Sequence, residues 1–364
     1  MIKLLLPFLI ILVLALTVID VAEAKRVVFQ NGEDSLSGHY LVPTSGKPRA
    51  VILFVHGDGP LGYDAHGYYP LIWTRLLKQG FAIFSWDKPG VGKSTGNWLA
   101  QSMKGRQKEV QSAITFIRNS YGYSGDQVGL LGFSQAGWVV PAVANNNSDV
   151  GFVVGVGFAL DWLQQSWYLT RVRMENQGVH PDVIDEAYAS HVKDLKFLRQ
   201  EHSYDDYRKR YAHTSELMSE ARYQFILRNF RVNATSDYIG LTQPILLLLG
   251  DKDLNVDILN TKEVVEKLTE GQQNIQISII KNATHGMLNA KHFNQQTPGL
   301  SFLLRLMWQG EKAVAPEFYM VLDEWLSHTA DSAVSHPSAN SKRVVINGDV
   351  QKISLTDCYT IDIP

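Results

Sequence analysis

Gly129-Leu130-Leu131-Gly132-Phe133-Ser134-Gln135-Ala136-Gly137-Trp138 is an apolar run delivered into Gly-x-Ser-x-Ala-Gly. Val128–Leu131 has the length and composition of a buried strand and Gln135–Ala144 those of a helix, so Ser134 falls on the turn between them. Small residues permit a turn tight enough to project the hydroxyl from the end of a sheet. The helix that follows aims backbone donors and the positive end of its dipole at that hydroxyl. A free serine hydroxyl is a poor nucleophile, so the reading requires a base elsewhere in the chain. A buried turn serine is the plain alternative.

The flanking sequence repeats the same rhythm. Apolar runs at Val51–Val55, Phe81–Trp86, Phe152–Val156, Ile245–Leu249 and Ile275–Ile280 are each bounded by Gly, Pro, Asp or Asn, which suits strands buried on both faces. Helix-like stretches, Tyr69–Gln79 and Ser102–Asn119 among them, lie between. That alternation predicts an α/β chain with a mostly parallel, doubly wound sheet. Lys25 to Pro43, alternating around Asn31-Gly32-Glu33-Asp34, predicts an antiparallel hairpin at the sheet edge. One gap breaks the rhythm, from Phe158 to Leu241, and it is far too long for a loop. Within it Pro181 suits a first helical position, and Ile184, Ala187, Tyr188, His191, Leu195 and Leu198 recur at helical spacing. The expected organisation is a sheet domain of residues 25–157 and 242–330, a helical cap inserted over 158–241, and a tail over 331–364. Pro316 to His328 makes a closing helix, and Arg343–Ile346 in the Ser-rich tail is strand-like.

The serine turn, with its strand and helix, resembles the nucleophile elbow of the α/β-hydrolase superfamily, whose members include esterases and serine aminopeptidases. One position departs from the usual Gly-x-Ser-x-Gly: the last glycine is Ala136, with Gly137 following. The resemblance implies a Ser-His-Asp triad in which acid and base follow the serine on loops after later strands. Gly250-Asp251-Lys252-Asp253-Leu254-Asn255-Val256 is similar to the family's acid loop and implies Asp253 as the acid, with Asp251 and Asp257 as competitors. Lys281-Asn282-Ala283-Thr284-His285-Gly286 looks like the histidine loop and implies His285, among eleven histidines, as the general base.

Phe54-Val55-His56-Gly57-Asp58-Gly59-Pro60 is similar to the His-Gly segment that these hydrolases place beside the nucleophile. It implies an oxyanion hole built from the backbone amides of Asp58 and Gln135, with Gly57 as the alternative to Asp58 and His56 as a structural hydrogen-bonding residue. Asp87-Lys88-Pro89-Gly90-Val91-Gly92-Lys93-Ser94-Thr95 follows a strand and ends like a phosphate-binding loop. That pattern requires glycine where this chain has Asp87, whose carboxylate would repel nucleotide phosphates. Many α/β-hydrolases carry a similar turn there, so no nucleotide is expected.

Lys3, the apolar run Leu4 to Ile19 and Ala22-Glu23-Ala24 read as a signal peptide over residues 1–24 and imply a secreted or periplasmic protein. The alternative is an uncleaved membrane anchor, for which the run is slightly short. Cys358 is the only cysteine, so stability must come from a core without an internal disulfide. A net charge of −2 without long like-charge runs gives no footprint for nucleic acid. Taken together, these residues predict an exported serine hydrolase that acts on a small-molecule acyl or peptide substrate without metal or cofactor. Cleavage of a carboxylic ester is favoured, with peptidase or acyl-transfer activity as the alternative. The cap aromatics Trp162, Trp167, Tyr168 and Tyr188 suit a partly apolar pocket or simple packing. A catalytically silent binding protein that kept the fold is the non-enzyme alternative.

Overall fold

A computed structural model of the chain describes residues 24–213, 217–296 and 299–335. The expected signal segment, apart from Ala24, lies outside them, as do the tail beyond Ser335 and the strand-like Arg343–Ile346. The chain opens as an antiparallel hairpin of β1 (Ala24–Asn31) and β2 (Asp34–Leu41), with Asn31 paired to Asp34 across a two-residue loop. Gly32 begins that loop at φ 63°, a conformation glycine adopts without a Cβ clash. There follow β3 (Ala50–Val55), α1 (Pro70–Lys78), β4 (Phe81–Trp86), α2 (Met103–Tyr121), β5 (Val128–Phe133), α3 (Val140–Asn146) and β6 (Phe152–Val156). Next come α4 (Trp162–Asn176), α5 (Pro181–Arg199), α6 (Tyr204–Arg210) and α7 (Glu220–Asn229). The chain then returns to the sheet with β7 (Ile245–Gly250), α8 (Ile258–Leu268) and β8 (Ile275–Ile280), followed by α9 (Ala290–Phe293), α10 (Leu300–Gln309) and α11 (Pro316–Ser335).

The eight strands form one sheet in the order β1-β2-β4-β3-β5-β6-β7-β8, parallel from β4 to β8, with the hairpin antiparallel at one edge. Strands β3 to β7 are buried along their whole length because helices cover both faces. On one face Val110, Ile114 and Ile117 of α2, Val140 and Val143 of α3 and Val265 of α8 pack on the sheet. On the other, Ile72 and Leu76 of α1 and Phe318, Leu322 and Leu326 of α11 do so. The chain runs from β3 out to β4, then crosses back to β5 and continues in the opposite direction. Strand order therefore reverses between β3 and β5, and the crevice beyond their carboxyl ends is where open α/β sheets bind ligands.

Three expectations need correction. β8 is the sheet's edge strand, and of its residues only Ile280 is buried, so it is not covered on both faces. The helix expected over Gln135–Ala144 is two pieces: a 3-10 helix over Ser134–Trp138, then α3 from Val140. Pro141 has no N–H to give the Gly137 carbonyl, so a continuous α-helix cannot run through it. The closing helix continues past His328 to Ser335, into the segment expected to be tail.

Helices α4 to α7 lie between β6 and β7. Phe197, Tyr207 and Tyr223 give this segment a small aromatic core of its own, with Tyr207 and Tyr223 stacked at 4.8 Å. Pro181 sits in the first turn of α5. The periodic face of that helix is only half-buried, and Tyr188 is exposed.

Candidate active site

Phe133 closes β5 in extended geometry, and Ser134 follows at φ 51°. A residue with a Cβ held in the left-handed region costs about 1–2 kcal/mol, so this turn stores strain at the residue that carries the hydroxyl. The surroundings hold it there. A Cβ on Gly132 would stand 2.9 Å from the Ala136 Cβ, and one on Gly137 would stand 2.9 Å from the Phe158 ring. Ala136 is therefore tolerated because the residue opposite it is Gly132. The close approach that needs glycine falls on Gly137, which accounts for the shifted pattern in the sequence.

Asp253 stands on the loop after β7 with a fully buried carboxylate. Its Oδ1 accepts the backbone N–H groups of Asn255 and Val256 at 2.7 and 2.9 Å, and its Oδ2 accepts Nδ1–H of His285 at 2.8 Å. A carboxylate can only accept, so His285 carries its proton on Nδ1 and leaves Nε2 with a lone pair to offer. Burial pulls the His285 imidazole down, but the charge and hydrogen bond of Asp253 outweigh it and raise the group above its ordinary 6.5. The competing acids are occupied elsewhere: Asp257 caps α8 through the Asn260 N–H at 3.1 Å, and Asp251 accepts the Ala283 N–H at 3.3 Å.

His285 reaches from the loop after β8 back to Gly157 at the end of β6, next to the strand that carries Ser134. Gly157 lies at φ 61°, and a Cβ there would meet the imidazole Nδ1 and Cε1 at 2.9 Å. The structure thus joins Asp253 to His285 and sets Ser134 at the same carboxyl edge, while no hydrogen bond joins Ser134 to His285 among the described contacts. Such contacts commonly tighten only once substrate is bound.

The segment after β3 lies directly beside Ser134, with a Cβ on Gly57 placed 3.4 Å from the Ser134 Cβ. The two residues expected to supply oxyanion donors are tied together by their side chains, Gln135 Nε2 donating to Asp58 Oδ1 at 3.0 Å. Arg222 of α7 grips the same carboxylate with two donors, at 3.2 and 2.8 Å. Burial pushes Asp58 up, but the Arg222 hydrogen bond and charge prevail and hold it below the usual carboxylate range. His56 is enclosed between the Trp86 carbonyl at 2.5 Å and the Tyr69 hydroxyl at 3.1 Å, and burial lowers it to about 3. It is a neutral structural residue.

Two buried basic side chains beneath this segment were given no role by the sequence reading. Lys88 donates to the carbonyls of Gly57 and Gly59, and Arg106 donates to the His56 carbonyl and to Gln135 Oε1. A signal for Arg106 was present: it lies at helical spacing among Met103, Val110, Ala113 and Ile117, on the buried face of α2. Among the cap aromatics, Trp162 stacks on Trp138 at 4.8 Å and Trp167 packs on Tyr188 at 4.9 Å, while the Tyr168 hydroxyl donates to the Asp253 carbonyl at 3.2 Å. A cavity of 310 Å³ opens at His285, walled by Tyr68, Leu254, Leu288, Phe293 and Phe302.

The family described as serine aminopeptidase, S33, matches residues 46–292. No curated protein matches the chain. Among solved structures it is similar to the Pyrococcus furiosus esterase Pf2001, at 15% identity and a TM-score of 0.56, over 84% of this chain and 91% of that one. It is also similar to the proline iminopeptidase of Mycobacterium smegmatis, at 12% and 0.55 over 85% and 100% of the two chains. The α/β-hydrolase GrgF from Penicillium sp. sh18 matches at 15% and 0.53 over 86% and 99%. At such identities these likenesses establish the fold, that of the α/β-hydrolases.

Proposed function

For a chain that belongs to the serine aminopeptidase S33 family, and is thus a serine hydrolase of the α/β type, we propose that it cleaves carboxylic esters through Ser134, His285 and Asp253 as an exported enzyme. The observation that carries this reading is the 2.8 Å bond between His285 Nδ1 and the fully buried Asp253 carboxylate, at the same sheet edge as a serine held at φ 51°. Ser134 Oγ attacks the ester carbonyl while its proton passes to His285 Nε2. The carbonyl oxygen becomes an oxyanion that accepts from the backbone N–H groups of Asp58 and Gln135, with Gly57 N–H as the alternative to the first. Collapse expels the alcohol, which takes the proton from His285, and leaves an acyl-serine. Water, deprotonated by the same histidine, then releases the acid.

The apolar 310 Å³ cavity at His285 suits an acyl group. Residues 158–241 serve as a cap on a core of residues 25–157 and 242–330 and govern entry. The peptidase alternative is favoured by the family's own description. Against aminopeptidase action stands Asp58: this carboxylate, bonded to Gln135 next to Ser134, is already paired with Arg222 and is not free for a substrate ammonium. A fluorophosphonate probe should label the purified protein and should label neither Ser134→Ala nor His285→Ala. A folded wild type that stays unlabelled refutes the activated serine. A higher kcat/KM on the amide of a matched ester and amide pair would replace the esterase reading with the peptidase one.

A further inference from the structure

Lys88 belongs to the turn that resembles a phosphate-binding loop, and the reaction above leaves it unused. It is 1% exposed, and its Nζ donates to the Gly57 carbonyl at 2.6 Å and the Gly59 carbonyl at 2.9 Å, with the Trp98 ring 5.3 Å away. Burying an amino group is costly, so its retention there calls for a reason. A peptide unit is planar and trans, with its C=O and N–H on opposite sides. A donor that fixes the Gly57 carbonyl therefore fixes the direction of the Asp58 N–H, which shares that plane. Arg106, 3% exposed, does the same one residue earlier: its Nη2 holds the His56 carbonyl at 2.5 Å, in the plane that carries the Gly57 N–H. Its Nη1 also holds the Gln135 side chain at 2.7 Å.

We propose that Lys88 and Arg106 are positioning residues of the oxyanion hole, each gripping by its carbonyl side one of the two peptide planes able to supply the first donor. The proposal rests on the serine hydrolase reading above. It also accounts for the Asp-Lys-Pro-Gly turn, because Asp87 fastens that turn by accepting the Tyr63 and Lys93 N–H groups at 2.9 and 3.1 Å, which sets Lys88 beneath the loop after β3. Donation to a carbonyl also polarises the peptide unit and strengthens its N–H as a donor.

Lys88→Met keeps the length and apolar stem and removes the donors. On p-nitrophenyl butyrate its kcat should fall about 10- to 100-fold, part of the effect of losing an oxyanion donor outright, with KM within about threefold of wild type. A trifluoromethyl ketone, whose serine adduct carries an oxyanion, should lose affinity in step with kcat. The unfolding midpoint should fall whichever role Lys88 has, since the Gly57 and Gly59 carbonyls lose their donor, so kcat on the folded variant carries the test. A purely structural staple predicts the same lower midpoint with kcat retained. Folded Lys88→Met with kcat within threefold of wild type, or with its loss confined to KM, overturns the proposal. Should Lys88→Met fail to fold, Lys88→Gln, shorter by one bond, carries the test on the same criteria. Wild type that does not react with a fluorophosphonate at Ser134 would instead refute the serine hydrolase reading and take this proposal with it.

Discussion

Replacing Asp253 by Asn tests the triad most sharply, because the structure dictates which way the new amide must face. Oδ1 accepts two backbone N–H groups and Oδ2 accepts His285 Nδ1–H. An amide offers one acceptor oxygen, and the two backbone donors claim it, so the NH2 group must face His285. Nδ1 then becomes an acceptor, the ring proton moves to Nε2, and the nitrogen meant for Ser134 has no lone pair to offer. Turning the amide over restores the productive tautomer but leaves two buried backbone donors unpaired, at roughly 1–3 kcal/mol each. A total of about 2–6 kcal/mol corresponds to a loss of roughly 30-fold to somewhat above 10,000-fold. Lost stabilisation of the imidazolium places the expected fall in kcat/KM at about 1,000-fold or more. The pH profile should move as well. Hydrolysis needs neutral His285, so activity is present above its pKa and lost as pH falls through it. In wild type that limb lies above 6.5, because Asp253 overcomes the lowering by burial. In Asp253→Asn only the lowering remains, and the limb moves to more acid pH. The assay is kcat/KM on a short-chain p-nitrophenyl ester across pH 5 to 9, with Asp257→Asn as the control. Loss below about tenfold, or an unmoved limb, refutes the reasoning.

Three further outcomes follow from the packing. Ser134→Ala keeps the strained left-handed backbone while Ser134→Gly relieves it; setting about 1–2 kcal/mol of relief against about 0.5–1 kcal/mol of added chain entropy makes the glycine variant roughly 0.5–1 kcal/mol the more stable. Equilibrium urea unfolding decides this, and an alanine variant of equal or greater stability would count against strain at the turn. Gly157→Ala drives a methyl group into the His285 ring and should lower kcat/KM about 100-fold, measured beside Asp253→Asn. Phe158→Ala empties the space that Gly132, Gly137 and Gly155 leave for one ring, and unfolding should show a loss of about 3–5 kcal/mol.

The sheet was legible because β3 to β7 are covered on both faces, so each reads as an unbroken apolar run between turn residues. Ser134 was legible because a strand and small residues flank it. Its φ was not, since strain is imposed by packing against Phe158, which lies over 20 positions away in the chain. Spacing left Asp251, Asp253 and Asp257 as rivals, and hydrogen bonding separates them: one caps a helix, one holds a loop, and one is buried against the histidine. Helix α10 escaped the sequence reading although Leu300, Leu303, Leu304, Met307 and Trp308 recur at helical spacing, with Ser301, Arg305 and Gln309 on another face. That stripe is exposed while Phe302 and Leu306 turn inward, so the face periodicity marks is not the one that meets the core.

The turn Asp87–Thr95 shows where motif reading stops and geometry begins. Sequence alone could set aside a nucleotide loop there, on the carboxylate of Asp87, but it could not say what the loop does. In the structure the same carboxylate accepts the loop's own Lys93 N–H and the Tyr63 N–H of the loop after β3, and a Cβ on Gly92 would stand 2.4 Å from its Oδ2, so the glycine that imitates a phosphate cradle makes room for Asp87. Ser94 completes the closure, its hydroxyl donating to the Asp87 carbonyl at 2.7 Å and accepting the Ser37 N–H at 2.9 Å. The Lys93 N–H, which would face an anion in a phosphate loop, is here turned on an internal carboxylate, and Lys88 is the group the turn delivers. Because β3 and β4 are parallel neighbours, the loops at their carboxyl ends stand side by side, and a lysine two residues past Trp86 falls beneath Gly57 to Gly59. The sequence motif and the loop after β3 are thus one structural unit, held together by strand register as much as by chemistry.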